Sequence, residues 1–391
     1  MTTVGDALMP TYARYPLTLV RGAGLHVWDA DGVAYLDLIG GLGALSLGHA
    51  HPRWVRAVTD AVSTIGLTSN LVTTEPQARL ADRLAARTPV ADARVFLCNS
   101  GAEANEALLK LVRKHALANR RPAIVALEGS FHGRTVAALA ATGQPAKRAP
   151  FEPLVDWFRF VPPDDLSALD DALAPGDVGA VLLEPILGEG GVIPLAAEYL
   201  QGVRARCDAS GALLAADEIQ SGAGRCGRWL SIQAAGVRPD VVSLAKALGG
   251  GLPIGALVAP AHLSFRLGEH ASTFGGGPVP SSAALAVLDT IDQENLLANV
   301  ETMGRLLRTE VARLAPDGTL AEIRGAGLLL GFQVAAGIAA GDVVTALRGR
   351  GVLASTAGAD VVRFTPPYTI AAAEVDEAAK ALAAALEEVA R

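Results

Sequence analysis

Between about residues 51 and 260, short apolar runs alternate with stretches whose apolar residues recur at helical spacing. Continuous apolar runs that alternate with helices are typical of parallel strands, because such strands are buried on both faces. The pattern therefore predicts an α/β fold with a large, mostly parallel sheet covered by helices. Six runs are predicted to form its strands: Arg94–Cys98, Ala123–Leu127, Gly179–Leu183, Ala212–Ala216, Val241–Ala245 and Gly255–Val258.

The pattern is different at both ends of the chain. Residues 1–50 are predicted to form an irregular arm with a small hairpin that turns at Asp31-Gly32. From about residue 290, long helical stretches give way to short strands and a closing helix rich in alanine and glutamate, which indicates a smaller α+β lobe. Since 391 residues are many for one core, we predict an arm (1–50) that contributes to the small lobe, a large domain (51–280) and a small C-terminal domain (281–391).

Composition narrows the class of protein. A hydrophobic content of 51% indicates a well-buried globular chain, and the net charge of −7 offers no basic surface for nucleic acid. We find no apolar run long enough to span a membrane, and residues 1–6 lack the pattern of a signal peptide. Cys98, Cys207 and Cys226 are an odd set with no close pair, which favours free thiols and a cytoplasmic location.

One of the few lysines stands at the end of a predicted strand. The chain has only five lysines, and Lys246 follows the apolar run that ends at Ala245. Burial disfavours the ammonium form, and a neutral amine is a ready nucleophile for an aldehyde. Another predicted strand ends at Asp217. An amine that forms a Schiff base and a carboxylate that keeps the pyridine nitrogen protonated are what pyridoxal phosphate requires. Taken singly, Lys246 could reach solvent and Asp217 could cap a turn.

Three further segments follow predicted strands. The small-residue turn at Asn99–Asn105 opens a helix, whose N-terminus suits a phosphate, although an ordinary capped turn has the same pattern. Phe131 can stack on a planar ring and Arg134 can bind a carboxylate, but core packing and a surface ion pair are common alternatives. Glu189 lies in a glycine-flanked loop, and Arg363 interrupts an apolar strand. A buried arginine needs a partner, so we expect Glu189 or a substrate carboxylate beside it.

Two other patterns suggest different chemistry. Gly222–Gly227 matches the G-x-G-x-x-G pattern of nicotinamide-dependent oxidoreductases, but the preceding strand ends five residues too early and leaves Asp217-Glu218 where a pyrophosphate would lie. His49 and His51 are not joined by further ligands nearby, so no metal site is predicted.

Together these residues resemble the class III pyridoxal-phosphate aminotransferases, and within that class the acetylornithine aminotransferases. The resemblance runs from about residue 15 to 385. It rests on stretches spread along the chain: Tyr35–Asp37, Leu47–Pro52, Thr68–Leu71, Glu75-Pro76, Asn99–Asn105, Ser130–Thr135, Asp217–Gly222, Lys246 and Ser272–Gly276.

The resemblance implies a fold-type I transferase that works as a homodimer, with active sites at the subunit interface. Lys246 would hold pyridoxal phosphate as a Schiff base and move the proton, and Asp217 would pair with the ring nitrogen. The other implied cofactor contacts are Gln220 at the ring hydroxyl, Phe131 stacked on the ring, and Ser100, Gly101, Ala102 and, from the neighbouring subunit, Thr273 at the phosphate.

The resemblance also implies the reaction, which moves the terminal amine of N-acetylornithine to 2-oxoglutarate. Arg134 and Ser272 would hold the far end of acetylornithine, and Arg363 would bind the near carboxylate of glutamate or 2-oxoglutarate. Glu189 would cover Arg363 in the other half-reaction. Ornithine, 4-aminobutyrate or another terminal amine, and an aminomutase reaction, stay open as alternatives because four positions depart from the usual pattern: Leu45, Val72, Leu187 and Gly277.

Overall fold

A computed structural model describes residues 7–391 of the chain. The expectation that no signal peptide is present falls on residues 1–6, outside the described residues. In the described part, no helix has the length and apolar character needed to cross a membrane.

The strands form four sheets. Their bounds are β1 Leu19–Ala23, β2 His26–Asp29, β3 Ala34–Asp37, β4 Ala93–Cys98, β5 Ala123–Leu127, β6 Phe158–Val161, β7 Val178–Leu183, β8 Ile186–Leu187, β9 Ile193–Pro194, β10 Leu213–Asp217, β11 Val241–Leu244, β12 Gly255–Pro260, β13 Leu320–Ala326, β14 Leu329–Val334, β15 Val352–Leu353, β16 Ser355–Thr356 and β17 Val361–Phe364.

The α-helices are α1 Gly40–Gly43, α2 Pro52–Thr64, α3 Glu75–Arg87, α4 Gly101–Ala118, α5 Val136–Ala141, α6 Pro145–Arg148, α7 Leu166–Leu173, α8 Ala197–Ser210, α9 Pro278–Gln293, α10 Leu296–Leu314, α11 Ala340–Gly349 and α12 Ala372–Val389. Short 3-10 turns include Lys246–Gly249.

The large sheet has seven strands in the order β4-β12-β11-β10-β7-β5-β6. All six predicted strands belong to it, and the strands from β11 to β6 run parallel. Strand β12 is antiparallel to both of its neighbours, which makes the sheet mostly parallel as predicted. The edge strand β6 was not predicted, because Arg159 interrupts its apolar run and its first three residues are only half-buried.

Alternate residues of the central strands enter two separate hydrophobic cores, because successive side chains point to opposite faces of a sheet. Ala180 and Leu182 of β7 join the core that contains Leu108 of α4, whereas Val181 and Leu183 join the core that contains α8. Helices on both faces therefore account for the continuous apolar runs that first indicated these strands.

The C-terminal part contains the antiparallel sheet β13-β14-β17-β16. The predicted N-terminal hairpin is present as β2 and β3, and β15 pairs in parallel with β3, so the arm joins the C-terminal part in one sheet. The helical stretch at the start of the C-terminal part is divided into α9 and α10 at Asn295, which has a left-handed φ of 50°. Helix α9 packs on α2 and α3. The domain boundaries predicted after residues 50 and 280 stay predictions.

Candidate active site

A cavity of about 250 Å³ lies where β7, β10 and β11 end, because parallel strands present their carboxyl ends at one edge of the sheet. Seven of the predicted site residues line it: Gly101, Ala102, Phe131, Arg134, Asp217, Gln220 and Lys246. The rest of the lining, which was not predicted, is His132, Gly133, Glu184 and Ile219. A larger groove of about 700 Å³, among α2, α3 and α9, contains none of these residues. The smaller cavity is therefore the candidate site.

Lys246 follows β11 and enters the cavity from a strained backbone position. Its φ is 32°, in a region that residues with a side chain rarely adopt, and Ala245 before it is also non-helical. Burial lowers the pKa of Lys246, and the Arg363 guanidinium lowers it further, while Glu189, Glu184 and Asp217 act in the opposite direction. A lowered pKa increases the fraction of neutral amine, which is the nucleophilic form.

Asp217, at the end of β10, is held by a set of hydrogen bonds within the fold. Its Oδ2 accepts from Asn105 Nδ2 at 2.6 Å and lies 2.8 Å from His132 Nδ1, while its Oδ1 accepts from the Ile219 amide at 3.0 Å. Ser243 Oγ donates to Asn105 Oδ1 at 2.7 Å and so orients the Asn105 amide. The carboxylate is thereby fixed at the cavity wall.

Asn105 and His132 were not predicted as site residues. Asn105 is fully buried on α4 among apolar neighbours, and a polar residue in an apolar stripe was the available signal. His132 Nε2 is buried without a hydrogen-bond partner among the described residues, which is unusual for a buried polar atom and fits a site that binds a further group.

Glu184 follows β7 and was also missed. It is 4% exposed, and it accepts hydrogen bonds from the Phe131 amide at 2.7 Å and the Gly188 amide at 3.2 Å. Burial raises the pKa of Glu184 to about 7, with Asp217 adding to the rise and His132 opposing it. The Glu184 carboxyl group, which interacts with Asp217 and Lys246, is thus partly protonated at neutral pH.

The N-terminus of α4 forms one wall of the cavity. Ser100 Oγ caps the helix by accepting from the Glu103 amide at 3.1 Å, so this side chain acts within the helix cap. The amides of Gly101 and Ala102, the first two helical residues, have no acceptor within the helix. A Cβ at residue 101 would lie 2.8 Å from Ile219, so glycine allows the close packing of this wall. These free amides can bind a phosphate.

Arg363 is 2% exposed on β17, and its buried charge has the carboxylate partner that the sequence led us to expect. Arg363 Nη1 donates to Glu189 Oε1 at 2.6 Å, to Gly188 O at 3.1 Å and to Gln220 Oε1 at 3.2 Å. Burial acts to raise the pKa of Glu189, but Arg363, Lys246 and Lys147 together hold it below its ordinary value. Glu189 is therefore ionised and masks the Arg363 charge.

Phe131 and Arg134 lie side by side at the cavity. The Arg134 guanidinium carbon is 5.5 Å from the centroid of the Phe131 ring, within the range of a cation–π contact. Arg134 is exposed, whereas Phe131 is half-buried. The aromatic face and the exposed cation are thus available to a bound molecule.

Five predicted residues lie outside the cavity lining: Ser100, Glu189, Ser272, Thr273 and Arg363. Ser100 adjoins the lining in sequence, and Glu189 and Arg363 adjoin it through the contact of Arg363 with Gln220. Thr273 is exposed. Ser272 is half-buried, and its Oγ accepts from the Gly275 amide at 2.9 Å and from Asn99 Nδ2 at 3.3 Å. The structure of one chain therefore does not bring Thr273 and Ser272 to the site that contains Lys246.

The G-x-G-x-x-G match is not a dinucleotide site. Arg225, inside Gly222–Gly227, is fully buried and donates to the backbone carbonyls of Gly43 and Leu328 at 3.2 Å each. The segment is a series of turns, and a short 3-10 helix at Ser231–Ala235 follows it instead of an α-helix. Of the histidines weighed as metal ligands, His49 pairs with Asp37 at 2.9 Å. Across residues 7–391, no three His, Cys, Asp or Glu side chains are grouped to hold a metal ion.

The chain matches the family model described as "Aminotransferase class-III" over residues 8–386. It is 45% identical to the acetylornithine aminotransferase of Thermosynechococcus vestitus, over 98% of this chain and 96% of the relative. The fold is similar to that of N-acetylornithine aminotransferase from Stenotrophomonas maltophilia K279a, with a TM-score of 0.85 and 38% identity over 97% of this chain and 98% of that one.

A second solved structure carries the cofactor. It is an ornithine aminotransferase from Toxoplasma gondii with partial occupancy of PLP at its active site, and it matches with a TM-score of 0.92 and 32% identity over 98% of this chain and 93% of that one. The chain belongs to the class III aminotransferases, whose cofactor is pyridoxal phosphate.

Proposed function

We propose that this enzyme transfers the terminal amino group of N-acetylornithine to 2-oxoglutarate, giving N-acetylglutamate semialdehyde and glutamate, a step of arginine biosynthesis. The observation that carries the proposal is the ion pair between Glu189 and Arg363 beside the cavity that contains Lys246, where Arg363 also contacts Gln220 of the lining. The names of its relatives from Thermosynechococcus vestitus and Stenotrophomonas maltophilia support the choice of acetylornithine.

The residues of the cavity fit pyridoxal phosphate. Lys246 would hold it covalently through Nζ, the amides of Gly101 and Ala102 would bind the phosphate, and Asp217 would pair with the ring nitrogen. When bound, this group supplies an electron sink and carries the amino group between the two substrates.

The remaining cofactor contacts are proposals of the same kind. Phe131 would face the cofactor ring. Gln220, which already contacts Arg363, would reach the hydroxyl group of that ring. Ser100 would act indirectly, because its hydroxyl is used in the helix cap that presents the phosphate-binding amides. Once freed from the cofactor, the Lys246 amine is placed to move a proton at the substrate carbon.

The pair of Glu189 and Arg363 would allow one site to accept two substrates whose reacting amines have different surroundings. Acetylornithine reacts through a terminal amine with no carboxylate beside it, whereas glutamate reacts through an amine next to its α-carboxylate. A buried arginine left unpaired in the first case would cost free energy, so Glu189 covers it. In the second case the α-carboxylate would take the place of Glu189 and form a bidentate pair with Arg363.

The distal end of acetylornithine would be bound at the mouth of the cavity. Arg134 is exposed there and can take the distal carboxylate. Ser272 would assist only if its hydroxyl leaves its present contacts with the Gly275 amide and Asn99.

We also propose that the active unit is a homodimer, with Thr273 serving the phosphate of the neighbouring subunit. Asn70 Nδ2 donates to Ser272 O at 2.8 Å and to Gly275 O at 3.1 Å, which joins two loops that carry Leu71, 93% exposed, and Phe274, 58% exposed. Large apolar side chains exposed on two joined loops favour an interface between copies. A cytoplasmic location stays a prediction, and three free cysteines agree with it.

A half-reaction screen tests the proposed substrate. The purified holoenzyme is mixed in single turnovers with acetylornithine, ornithine, 4-aminobutyrate and glutamate, and the loss of the cofactor's absorbance band is followed. Acetylornithine is expected to have the highest rate constant divided by dissociation constant among the terminal amines.

A higher value for ornithine or 4-aminobutyrate would contradict the proposal and select that amine instead. An aminomutase would isomerise its amino acid without consuming 2-oxoglutarate, so the yield of glutamate per acetylornithine consumed separates this alternative.

A further inference from the structure

Lys147 lies beside the site although it has no part in the function described above. It belongs to the short helix α6, between α5 and the turn at Ala149–Phe151. Its Nζ is 4.9 Å from the centroid of the Phe131 ring and 3.9 Å from Glu189 Oε2. Its side chain is 24% exposed, so the amine is partly withdrawn from solvent.

Glu189 is placed between two cations. Among the described residues it forms ion pairs with Arg363, through Oε1 at 2.6 Å, and with Lys147, through Oε2 at 3.9 Å. The first contact is a hydrogen bond and the second is longer than one, so Arg363 is the main partner in this arrangement. Oε1 of Glu189 faces Arg363 and Oε2 faces Lys147, so the Glu189 carboxylate lies between the two cations to which it could bind.

The backbone around Glu189 is held on both sides. The Gly188 amide donates to Glu184 Oε2 at 3.2 Å, and Arg324 Nε donates to Gly191 O at 2.7 Å. A Cβ at residue 190 would lie 2.5 Å from Gly129 O, so this backbone packs directly against another. Any movement of the Glu189 carboxylate is therefore a rotation of its side chain.

We propose that Lys147 is a positioning residue that receives the Glu189 carboxylate when a substrate α-carboxylate occupies Arg363. The inference rests on the proposed exchange of carboxylates at Arg363. A displaced carboxylate that stayed in this partly buried cavity without a cation would oppose the entry of the α-carboxylate. Lys147 removes that cost, because a small rotation of Glu189 brings Oε2 from a long ion pair to a hydrogen bond.

The electrostatic surroundings of Lys147 agree with this role. Burial lowers the pKa of Lys147, and Arg134 and Arg363 lower it further, while Glu189 and Glu184 raise it. The charge of Lys147 is therefore coupled to the residues proposed to bind both ends of the substrates. A carboxylate that moved closer would stabilise the ammonium form.

The test compares Lys147→Met, Lys147→Arg and the matched control Lys380→Met. Lys380 also pairs with a carboxylate, Asp376 at 2.7 Å, but on the exposed helix α12. Single-turnover rates of the holoenzymes are measured over a range of concentrations of glutamate, L-alanine and acetylornithine, which gives an apparent dissociation constant for each. Alanine has an α-carboxylate but no distal carboxylate, so it separates the exchange at Arg363 from direct binding of a distal carboxylate by Lys147.

We expect Lys147→Met to raise the apparent dissociation constant of glutamate and of alanine by a similar factor, about fivefold, with a much smaller effect on acetylornithine. Lys147→Arg should restore most of the loss, and Lys380→Met should behave as the parent. In the Glu189→Gln background, Lys147→Met should have little further effect on glutamate or alanine, because no displaced charge remains.

Loss with glutamate alone would overturn the proposal in favour of direct binding of the distal carboxylate. An equal loss with all three amines would overturn it in favour of a structural role. A crystal structure of the holoenzyme with glutarate on Arg363 gives an independent reading. Glu189 within about 3 Å of Lys147 Nζ is expected there, and Glu189 turned to solvent would contradict it. If acetylornithine proves not to be a substrate, the comparison of glutamate with alanine still decides the role of Lys147.

Discussion

Asn105 donates its side-chain amide to Asp217 Oδ2 over 2.6 Å, although 112 residues separate the two along the chain. The contact ties the first turns of α4, whose N-terminus lies at the cavity wall, to the end of β10. It therefore links the proposed phosphate-binding amides to the proposed partner of the ring nitrogen.

Asp217→Ala is expected to lower the transamination rate by at least about 100-fold, because a positioned charge is lost where the cofactor needs it. Asn105→Ala should have a smaller effect, about tenfold, since it removes one hydrogen bond to that charge. Steady-state rates at saturating cofactor measure both. Near-normal turnover of Asp217→Ala would refute the role of this carboxylate.

Borohydride reduction of the holoenzyme should fix the cofactor to Lys246, because its amine has a lowered pKa and lies in the cavity. Peptide mapping of the reduced protein by mass spectrometry identifies the labelled residue. The four other lysines serve as internal controls in the same digest. A label on any of them, or no label on Lys246, would contradict the assignment.

Glu189→Ala and Arg363→Ala should have opposite effects on the two half-reactions. Without Glu189 the Arg363 guanidinium has no carboxylate partner from the protein in either half-reaction. We therefore expect the Glu189→Ala enzyme to prefer α-amino donors and to be less active with terminal amines. Without Arg363 the 2-oxoglutarate step should fall by about 100-fold, since truncating one side of a desolvated charge pair costs 2 to 5 kcal/mol or more. Single-turnover rates decide the matter, and equal losses in both half-reactions would assign the pair a structural role.

Arg134→Ala should impair the acetylornithine half-reaction far more than the glutamate half-reaction. The exposed guanidinium at the cavity mouth is the proposed partner of the distal carboxylate. Arg134→Lys keeps the charge but loses the bidentate geometry, so an intermediate rate is expected. The comparison uses rate constant divided by dissociation constant for each donor. Equal damage to both would exclude the assignment.

The stability of the enzyme should depend on pH through Glu184. Its pKa is raised from 4.5 in the unfolded chain to about 7 in the fold, so between these values the folded state holds the proton that the unfolded state has lost. The contribution of Glu184 to the free energy of unfolding is therefore full below its pKa in the unfolded chain. It is lost as the pH rises through about 7. We expect thermal denaturation midpoints of the cofactor-free protein to fall from pH 5 to pH 8, and to fall less in Glu184→Gln. The same slope in both proteins would contradict the shifted pKa.

The parts of the fold that the sequence predicted share a strong local signal. The strands β5 and β7 contain no polar side chain, because both of their faces are buried, and this pattern is visible in any short window. Strand β6 lies at the sheet edge, and Arg159 pairs with Asp177 there, so its pattern is mixed. The exact break between α9 and α10 depends on the left-handed conformation of Asn295, which no periodicity encodes.

Several residues that the structure groups at the candidate site have a local signal in the sequence. Lys246, Asp217 and the Glu189–Arg363 pair each combine a charged residue with an apolar or glycine-rich surrounding. Asn105 and His132 were missed because they act on Asp217 through contacts between residues distant in sequence. Lys147 gives no sequence signal at all, since its place beside Glu189 depends on how α6 packs.

The backbone conformation of Lys246 has a consequence for the evolution of this chain. A left-handed φ of 32° at a residue with a long side chain costs about 1 to 3 kcal/mol, which glycine would largely avoid. On backbone strain alone a glycine would be favoured at this position, so the fold gives up stability to keep an amine in the cavity.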